Sequence, residues 1–287
     1  ARAGPAGRNR SASCGMERIM IANILSIAGS DPSGGAGIQA DIKAISANGG
    51  YAMAAITALT AQNTRGVTGV QMIEPAFVAQ QIAALRADIR IDAVKIGMLG
   101  TSEMVATVFA ALEGLDVPVV LDPVMVAKGG DRLLRAEAVT ALRDALGMAS
   151  VITPNLPEAA DLLGRAEATS ETGMEAQAQA LLALGPKAVL LKGGHLPGGA
   201  CPDLLATAEG MLWLHGPRHA THRTHGTGCT LSSTLATRLG QGMPLAEAAT
   251  AAKAYVARAI ATADALTVGH GHGPTHHFHT FFEGSTR

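Results

Sequence analysis

The sequence predicts a three-layer α/β fold with a central, mostly parallel sheet flanked by helices. Three observations carry this expectation. From residue 21 onward, short apolar runs alternate with longer stretches whose apolar residues recur at helical spacing, the pattern of repeated strand–helix–strand units. Polar or Gly-rich turns follow the apolar runs, where the ligand crevice of a parallel sheet lies. Hydrophobic residues make up 48% of the chain but aromatics only 3%, a balance that suits Ala- and Gly-rich helices packed closely on a sheet.

The run 21–28 opens the sheet. Arg8, Arg10 and Arg18 before it imitate a signal peptide, yet a Gly-rich turn and an amphipathic helix follow at once, so the run reads as a buried first strand. Further strands are expected at 52–58, 93–96, 117–121, 150–152 and 188–191, with helices at 38–47, 75–87, 102–115, 137–146, 157–163 and 175–184. Ser102, followed by Glu103, reads as a helix cap; Gly49-Gly50 and Gly185-Pro186 read as helix stops. Residues 204–206 and 211–214, joined through Glu209-Gly210, suggest a hairpin late in the sheet, and helices at 229–240 and 245–263 close the pattern. No repeat or linker interrupts it, so residues 20–287 are expected to form one domain. Residues 1–19 show no periodicity, and Met16 or Met20 is a candidate natural start; the segment reads as a disordered or artificially added extension.

Composition excludes several classes of function. A formal net charge of −1 offers no electrostatic footprint for nucleic acid or an anionic membrane. No apolar run reaches membrane-spanning length. Cys14, Cys201 and Cys229 are odd in number and lack a CxxC pair, which fits a reducing cytoplasm better than a disulfide framework.

The chemistry gathers at expected strand ends. His225-Gly226-Thr227-Gly228-Cys229-Thr230 opens straight into an apolar helix, so unpaired N–H groups and the positive end of the helix dipole form an anion site. The same turn also reads as a plain helix cap. Cys229 in its first turn is expected to have a lowered thiol pKa. The loop Gly29-Ser30-Asp31-Pro32-Ser33-Gly34-Gly35-Ala36-Gly37 is neither a Walker A loop nor a dinucleotide fingerprint. Its glycines allow backbone contact with a small flat ligand, and Asp31 suits a hydroxyl or amine; a plain glycine turn capped by Asp31 is the alternative. Gln62, in an expected loop, pairs a carbonyl with an NH2 and so matches a ring nitrogen beside an exocyclic amine. Met98 suits packing on an aromatic ring, though such a residue is often core filler.

Asp122 and Glu158, each just after a strand, are candidates to share a hydrated Mg2+. Lys128-Gly129-Gly130 and Lys192-Gly193-Gly194 place further cations and glycines at this edge, with Lys192 offering its charge to a phosphate. The His-rich stretch from Gly269 to His279 lacks a partnering Cys or an HExxH spacing. It reads as a mobile segment over the substrate pocket rather than a transition-metal site.

Taken in order from about residue 21 to 279, these blocks resemble the ribokinase-like superfamily, specifically the bacterial hydroxymethylpyrimidine/phosphomethylpyrimidine kinases of thiamine biosynthesis. Ala61-Gln62-Asn63-Thr64, Lys95-Ile96-Gly97-Met98-Leu99, Asp122-Pro123-Val124-Met125, Thr153-Pro154-Asn155-Leu156-Pro157-Glu158-Ala159, Lys192-Gly193-Gly194-His195 and Gly273-Pro274-x-His276-His277 carry the resemblance with the two glycine loops above. It implies a ribokinase-like fold and ATP-dependent phosphorylation of 4-amino-5-hydroxymethyl-2-methylpyrimidine, then of its monophosphate.

It further implies that Gln62 reads the aminopyrimidine edge while Gly29, Asp31 and Met98 shape the ring pocket. Gly226, Thr227 and Gly228 form the anion hole, with Lys192, Asn155 and Thr227 toward ATP, and Glu158 with Asp122 toward Mg2+. Cys229 stands where many superfamily members carry a general-base Asp, which implies a base role for its thiol. A homodimer is the implied assembly. Two other readings stay open: a pyridoxal kinase of the same superfamily, and a non-catalytic pyrimidine-binding regulator. Intact Lys192, Glu158 and Gly-Thr-Gly-Cys argue against the second.

Overall fold

The computed structural model describes residues 20–125, 134 and 136–282. The expectations for residues 1–19 and for Lys128-Gly129-Gly130 lie outside them. In chain order the strands are β1 Asn23–Ala28, β2 Tyr51–Ile56, β3 Ala58–Asn63, β4 Gly66–Met72, β5 Ala93–Ile96, β6 Val119–Leu121, β7 Val151–Ile152, β8 Ala188–Lys192, β9 Asp203–Thr207 and β10 Gly210–Leu214. The helices are α1 Gly37–Ala47, α2 Pro75–Asp88, α3 Ser102–Leu112, α4 Ala136–Ala145, α5 Leu156–Leu163, α6 Glu171–Leu182, α7 Thr227–Gly240, α8 Leu245–Ala261 and the short α9 His279–Phe282.

Eight strands form one sheet in the order β10-β9-β8-β7-β6-β5-β1-β2. Pairing is parallel from β8 through β2, and β9 and β10 add the antiparallel hairpin expected late in the sheet. Side chains alternate between the two faces. Leu25 and Ile27 of β1, Val94 and Ile96 of β5, and Val189 and Leu191 of β8 pack with residues of α2 to α6. Ile24, Ala93 and Val120 turn the other way and pack with α1, α7 and α8. Period-two alternation between two apolar helix layers gives the three-layer architecture the sequence predicts. Strand order reverses at β1, between β2 and β5, so the crevice beyond the carboxyl ends of β1 and β5 is where such a sheet binds ligands.

Four local expectations are corrected. The run taken as one strand at 52–58 stops at Ile56, and Thr57 donates its hydroxyl to the Met98 carbonyl at 2.7 Å. Beyond it β3 and β4 form a separate two-stranded antiparallel sheet with an irregularity at Ala61/Gln62, so Gln62 stands on a strand rather than in a loop. The α3 cap is Thr101, whose side chain accepts from the Met104 N–H, one residue before the expected Ser102. Helix α6 starts at Glu171, four residues before the expected start, because Ser170 caps it through the Gly173 N–H.

Candidate active site

The N-terminal turn of α7 lies between two groups of side chains. It is built without a side-chain cap, starting from Gly226 with φ at 77°. That left-handed conformation and the neighbour both require glycine: a Cβ there would meet the Gly35 carbonyl oxygen at 1.8 Å. The glycine loop after β1 therefore lies directly on the α7 turn.

On one side stand Gly29, Asp31, Gln62, Met98 and His225. Gly29 lies beside Met98, whose sulfur would be 3.1 Å from any Cβ at that position. The Asp31 carboxylate accepts from Ser33 N–H at 2.9 Å, Ser33 Oγ at 2.7 Å and Ala36 N–H at 2.9 Å, and pairs with His225 Nε2 at 2.7 Å. Burial alone would raise this carboxyl, but hydrogen bonds from His225 and Ser33 hold it below its ordinary value. Gln62 Nε2 lies 3.4 Å from His225 Nε2, and Thr60 Oγ1 lies 3.2 Å from Gln62 Oε1. The four ring-pocket residues named from sequence thus converge, and His225 joins them.

On the other side stand Lys192, Asp122, Glu158, Asn155 and Gly228. Lys192 Nζ lies 3.0 Å from Asp122 Oδ1 and 3.8 Å from Glu158 Oε2. A Cβ at Gly228 would sit 3.2 Å from Lys192 Nζ and 3.3 Å from Asp122 Oδ2, so the α7 backbone abuts this pair. Asn155 and Glu158 form a reciprocal capping box at the start of α5, each side chain bonded to the other's backbone N–H at 2.8 Å. Burial, with Asp122 nearby, lifts the Glu158 carboxyl to about 7, since Lys192 and backbone N–H groups only partly offset them. For Lys192 the balance is reversed: burial disfavours its charge, but Asp122 and Glu158 outweigh it and raise its pKa. Two carboxylates flanking one cation, one of them poorly neutralised, make a donor set that fits a divalent ion.

Between the two groups sits Cys229, half-buried. Its thiol is pushed up to about 11, opposite to the expected fall. Burial is the main cause and Asp41 and Asp122 add to it, so Lys95 and the Gly37 N–H bond do not compensate. Beneath it Lys95, fully buried on β5, bonds both Asp41 oxygens at 2.8 and 2.9 Å. Asp41 also accepts from Ser26 Oγ at 2.6 Å and Ser233 Oγ at 2.8 Å. Burial opposes the Lys95 charge, but Asp41, Cys229 and Asp122 together raise its pKa.

Sequence reading passed over His225, Lys95 and Asp41 as site residues. The signal for the last two was present: Asp41 lies on the same apolar face of α1 as Ile38 and Ile45, and a charge buried there requires a partner.

The His-rich tail is hydrogen-bonded to three parts of the fold. Gly271 N–H bonds Thr64 Oγ1 at 3.1 Å, His272 N–H bonds the Thr64 carbonyl at 2.8 Å, and His225 N–H bonds the Gly273 carbonyl at 3.1 Å. Further along, His277 Nε2 meets Thr230 Oγ1 at 3.0 Å, and Tyr255 donates its hydroxyl to the His277 carbonyl. The tail thus runs from the β3–β4 hairpin across His225 to α7 and α8. Among the described residues no three His, Cys, Asp or Glu side chains cluster as metal ligands.

The model of the phosphomethylpyrimidine kinase family matches residues 31–276. A hydroxymethylpyrimidine/phosphomethylpyrimidine kinase of Escherichia coli is 51% identical over 269 residues, 93% of this chain and 100% of the relative. Among solved structures, a pyridoxal kinase of Bacillus subtilis in complex with ADP superposes with a TM-score of 0.83 at 35% identity, covering 90% of this chain and 98% of that one. A phosphomethylpyrimidine kinase of Clostridium difficile gives 0.74 at 40% identity, covering 83% and 99%.

Proposed function

Because the chain belongs to the phosphomethylpyrimidine kinase family, we propose that it transfers the γ-phosphoryl group of ATP to 4-amino-5-hydroxymethyl-2-methylpyrimidine and then to its monophosphate, for thiamine biosynthesis. One observation supports this reading: the Gly226–Gly228 turn lies between the group Gln62, Asp31, Gly29 and Met98, which we read as the ring side, and a charged cluster of Lys192, Asp122 and Glu158.

In this arrangement Met98 and Gly29 bound a flat ring, and Gln62 offers one donor and one acceptor to its edge. The N–H groups of Gly226 and Gly228 face the transferring phosphoryl group, where negative charge is spread over its oxygens, and the Thr227 N–H, which donates to the Thr224 carbonyl at 3.3 Å, turns to the phosphoryl group when it binds. Lys192 stabilises the same charge from the β8 side, and Asn155 holds Glu158 in place. Asp122 and Glu158 would hold Mg2+, which when bound would draw charge from the phosphate oxygens. Phosphoryl transfer proceeds through a loose transition state, so positioning and charge supply most of the acceleration. Cys229, with its thiol protonated, flanks the acceptor hydroxyl and positions it.

We also propose a homodimer. Leu59 and Val70, exposed on the small β3–β4 sheet, support it.

The test is ADP release from Mg-ATP with the hydroxymethylpyrimidine, its monophosphate and pyridoxal at matched concentrations. Turnover of both pyrimidines with little pyridoxal turnover is expected. Preference for pyridoxal would instead favour the activity of the Bacillus subtilis neighbour, and silence with all three would favour a binding protein.

A further inference from the structure

The environment of Gln62 contains a conflict of protons. His225 Nε2 lies 2.7 Å from Asp31 Oδ2, and the Asp31 carboxyl is held below its ordinary value, so this nitrogen carries a proton and donates it. The ring has little freedom to turn away. A Cβ at Gly35 would lie 2.3 Å from His225 Cδ2 and 3.3 Å from Pro274 Cβ, and the His225 backbone is held on both sides by Gly273 and Thr275. Yet the amide nitrogen of Gln62, itself a donor, stands 3.4 Å from that N–H. At the other end the Thr60 hydroxyl has one proton for two oxygens, the Ser30 carbonyl at 2.8 Å and Gln62 Oε1 at 3.2 Å.

Exchanging the two ends of the amide removes the donor-against-donor contact at His225 and frees the Thr60 proton for Ser30. Oxygen and nitrogen of a glutamine amide have nearly the same shape, so only their hydrogen-bond partners decide between them. With Oε1 toward His225, the imidazole N–H, donated to Asp31 at 2.7 Å, has a second acceptor at 3.4 Å in place of a competing donor. With Nε2 toward Thr60, the hydroxyl keeps its proton for Ser30 and accepts from the amide. One Oε1 lone pair and one Nε2–H remain side by side on the outer edge of the amide.

We infer that His225 and Thr60 are positioning residues that fix the Gln62 amide with its oxygen toward His225, and so fix which way round an aminopyrimidine ring sits. The inference rests on the ring-pocket reading above. The exocyclic amine of the ring then lies on the His225–Asp31 side, against Oε1, and the adjacent ring nitrogen lies on the Thr60 side, against Nε2–H. A ring presenting an acceptor where the amine belongs meets oxygen against oxygen and is rejected. Ring selectivity is thus set by two residues that need not touch the ring.

The test combines NMR with kinetics. In 15N-edited spectra of the full chain, the Gln62 side-chain amide protons should show a nuclear Overhauser contact to the Thr60 γ-methyl and none to the His225 ring. Contact to the ring instead overturns the inference. Thr60→Val, which cannot accept from the amide, should raise KM for the pyrimidine roughly tenfold, about the loss of one hydrogen bond. Its kcat and its KM for ATP should stay within about twofold, and Thr60→Ser should restore the pyrimidine KM. Equal rises in both KM values would mark Thr60 as merely structural and overturn its role. If the wild-type chain fails to turn over the pyrimidine, the kinase reading falls, while the amide contacts still decide the orientation.

Discussion

Cys229 accepts a hydrogen bond from the Gly37 N–H and lies within the field of Lys95, yet its thiol is pushed up to about 11. A general base contributes about 10²- to 10⁴-fold to a rate. A thiol that stays protonated at neutral pH contributes less, so Cys229→Ser is expected to lower kcat by roughly tenfold at most, with little change in either KM. Steady-state kinetics checks this, and a loss near a thousandfold would restore the thiolate as base. Glu158 yields a second expectation, with a definite sign. Its carboxyl, at about 7 in the fold against 4.5 as its reference value, stabilises the protein below about pH 4.5, and that contribution is lost as pH rises through about 7. Glu158→Gln should therefore raise the melting temperature at pH 8 and leave it nearly unchanged at pH 4.5, while impairing turnover. Thermal unfolding at the two pH values, with no nucleotide added, measures the difference.

At the scale of elements, two helices offer a controlled comparison. Asn155 caps α5 and holds Glu158, whereas Ser170 caps α6 through Gly173 and holds no site residue. Asn155→Ala and Ser170→Ala should each cost about 1 kcal/mol of stability. Only the first should also lower kcat/KM, and denaturant unfolding beside kinetics separates the two effects. Element by element, the sequence was legible where periodicity was strong. The parallel strands, the late hairpin and the helices α7 and α8 stood close to their expected places. The β3–β4 sheet was not legible, because Thr60-Ala61-Gln62-Asn63-Thr64 is polar and Gly66 and Gly69 interrupt the partner run. Only Ala58 of its strands is buried, so no apolar alternation marks them. The positions of Gly29, Asp31, Met98 and Asp122 just after strands were legible, and that of Gln62 on β3 was not. The links among them were not: His225 reaches Asp31 across 194 positions of sequence and Asp41 reaches Lys95 across 54.

For the whole molecule, the Asp41–Lys95 pair joins β1, β5, α1 and α7 in one buried cluster through Ser26 and Ser233. Lys95→Met leaves the buried Asp41 without its cation, and should cost about 3–5 kcal/mol in denaturant unfolding. Adding Asp41→Leu to that variant should recover much of the loss, since a well-packed apolar pair can replace a buried ion pair. A final consequence follows from the backbone bonds that Gly273 and Thr275 make to His225. A chain emerging from the ribosome exposes its N-terminal strands first. Gly29, Asp31, Gln62 and Met98 are therefore made early, His225 late, and the segment that clamps it last. The contacts around His225 are therefore completed only when residues 273 to 275 have been made.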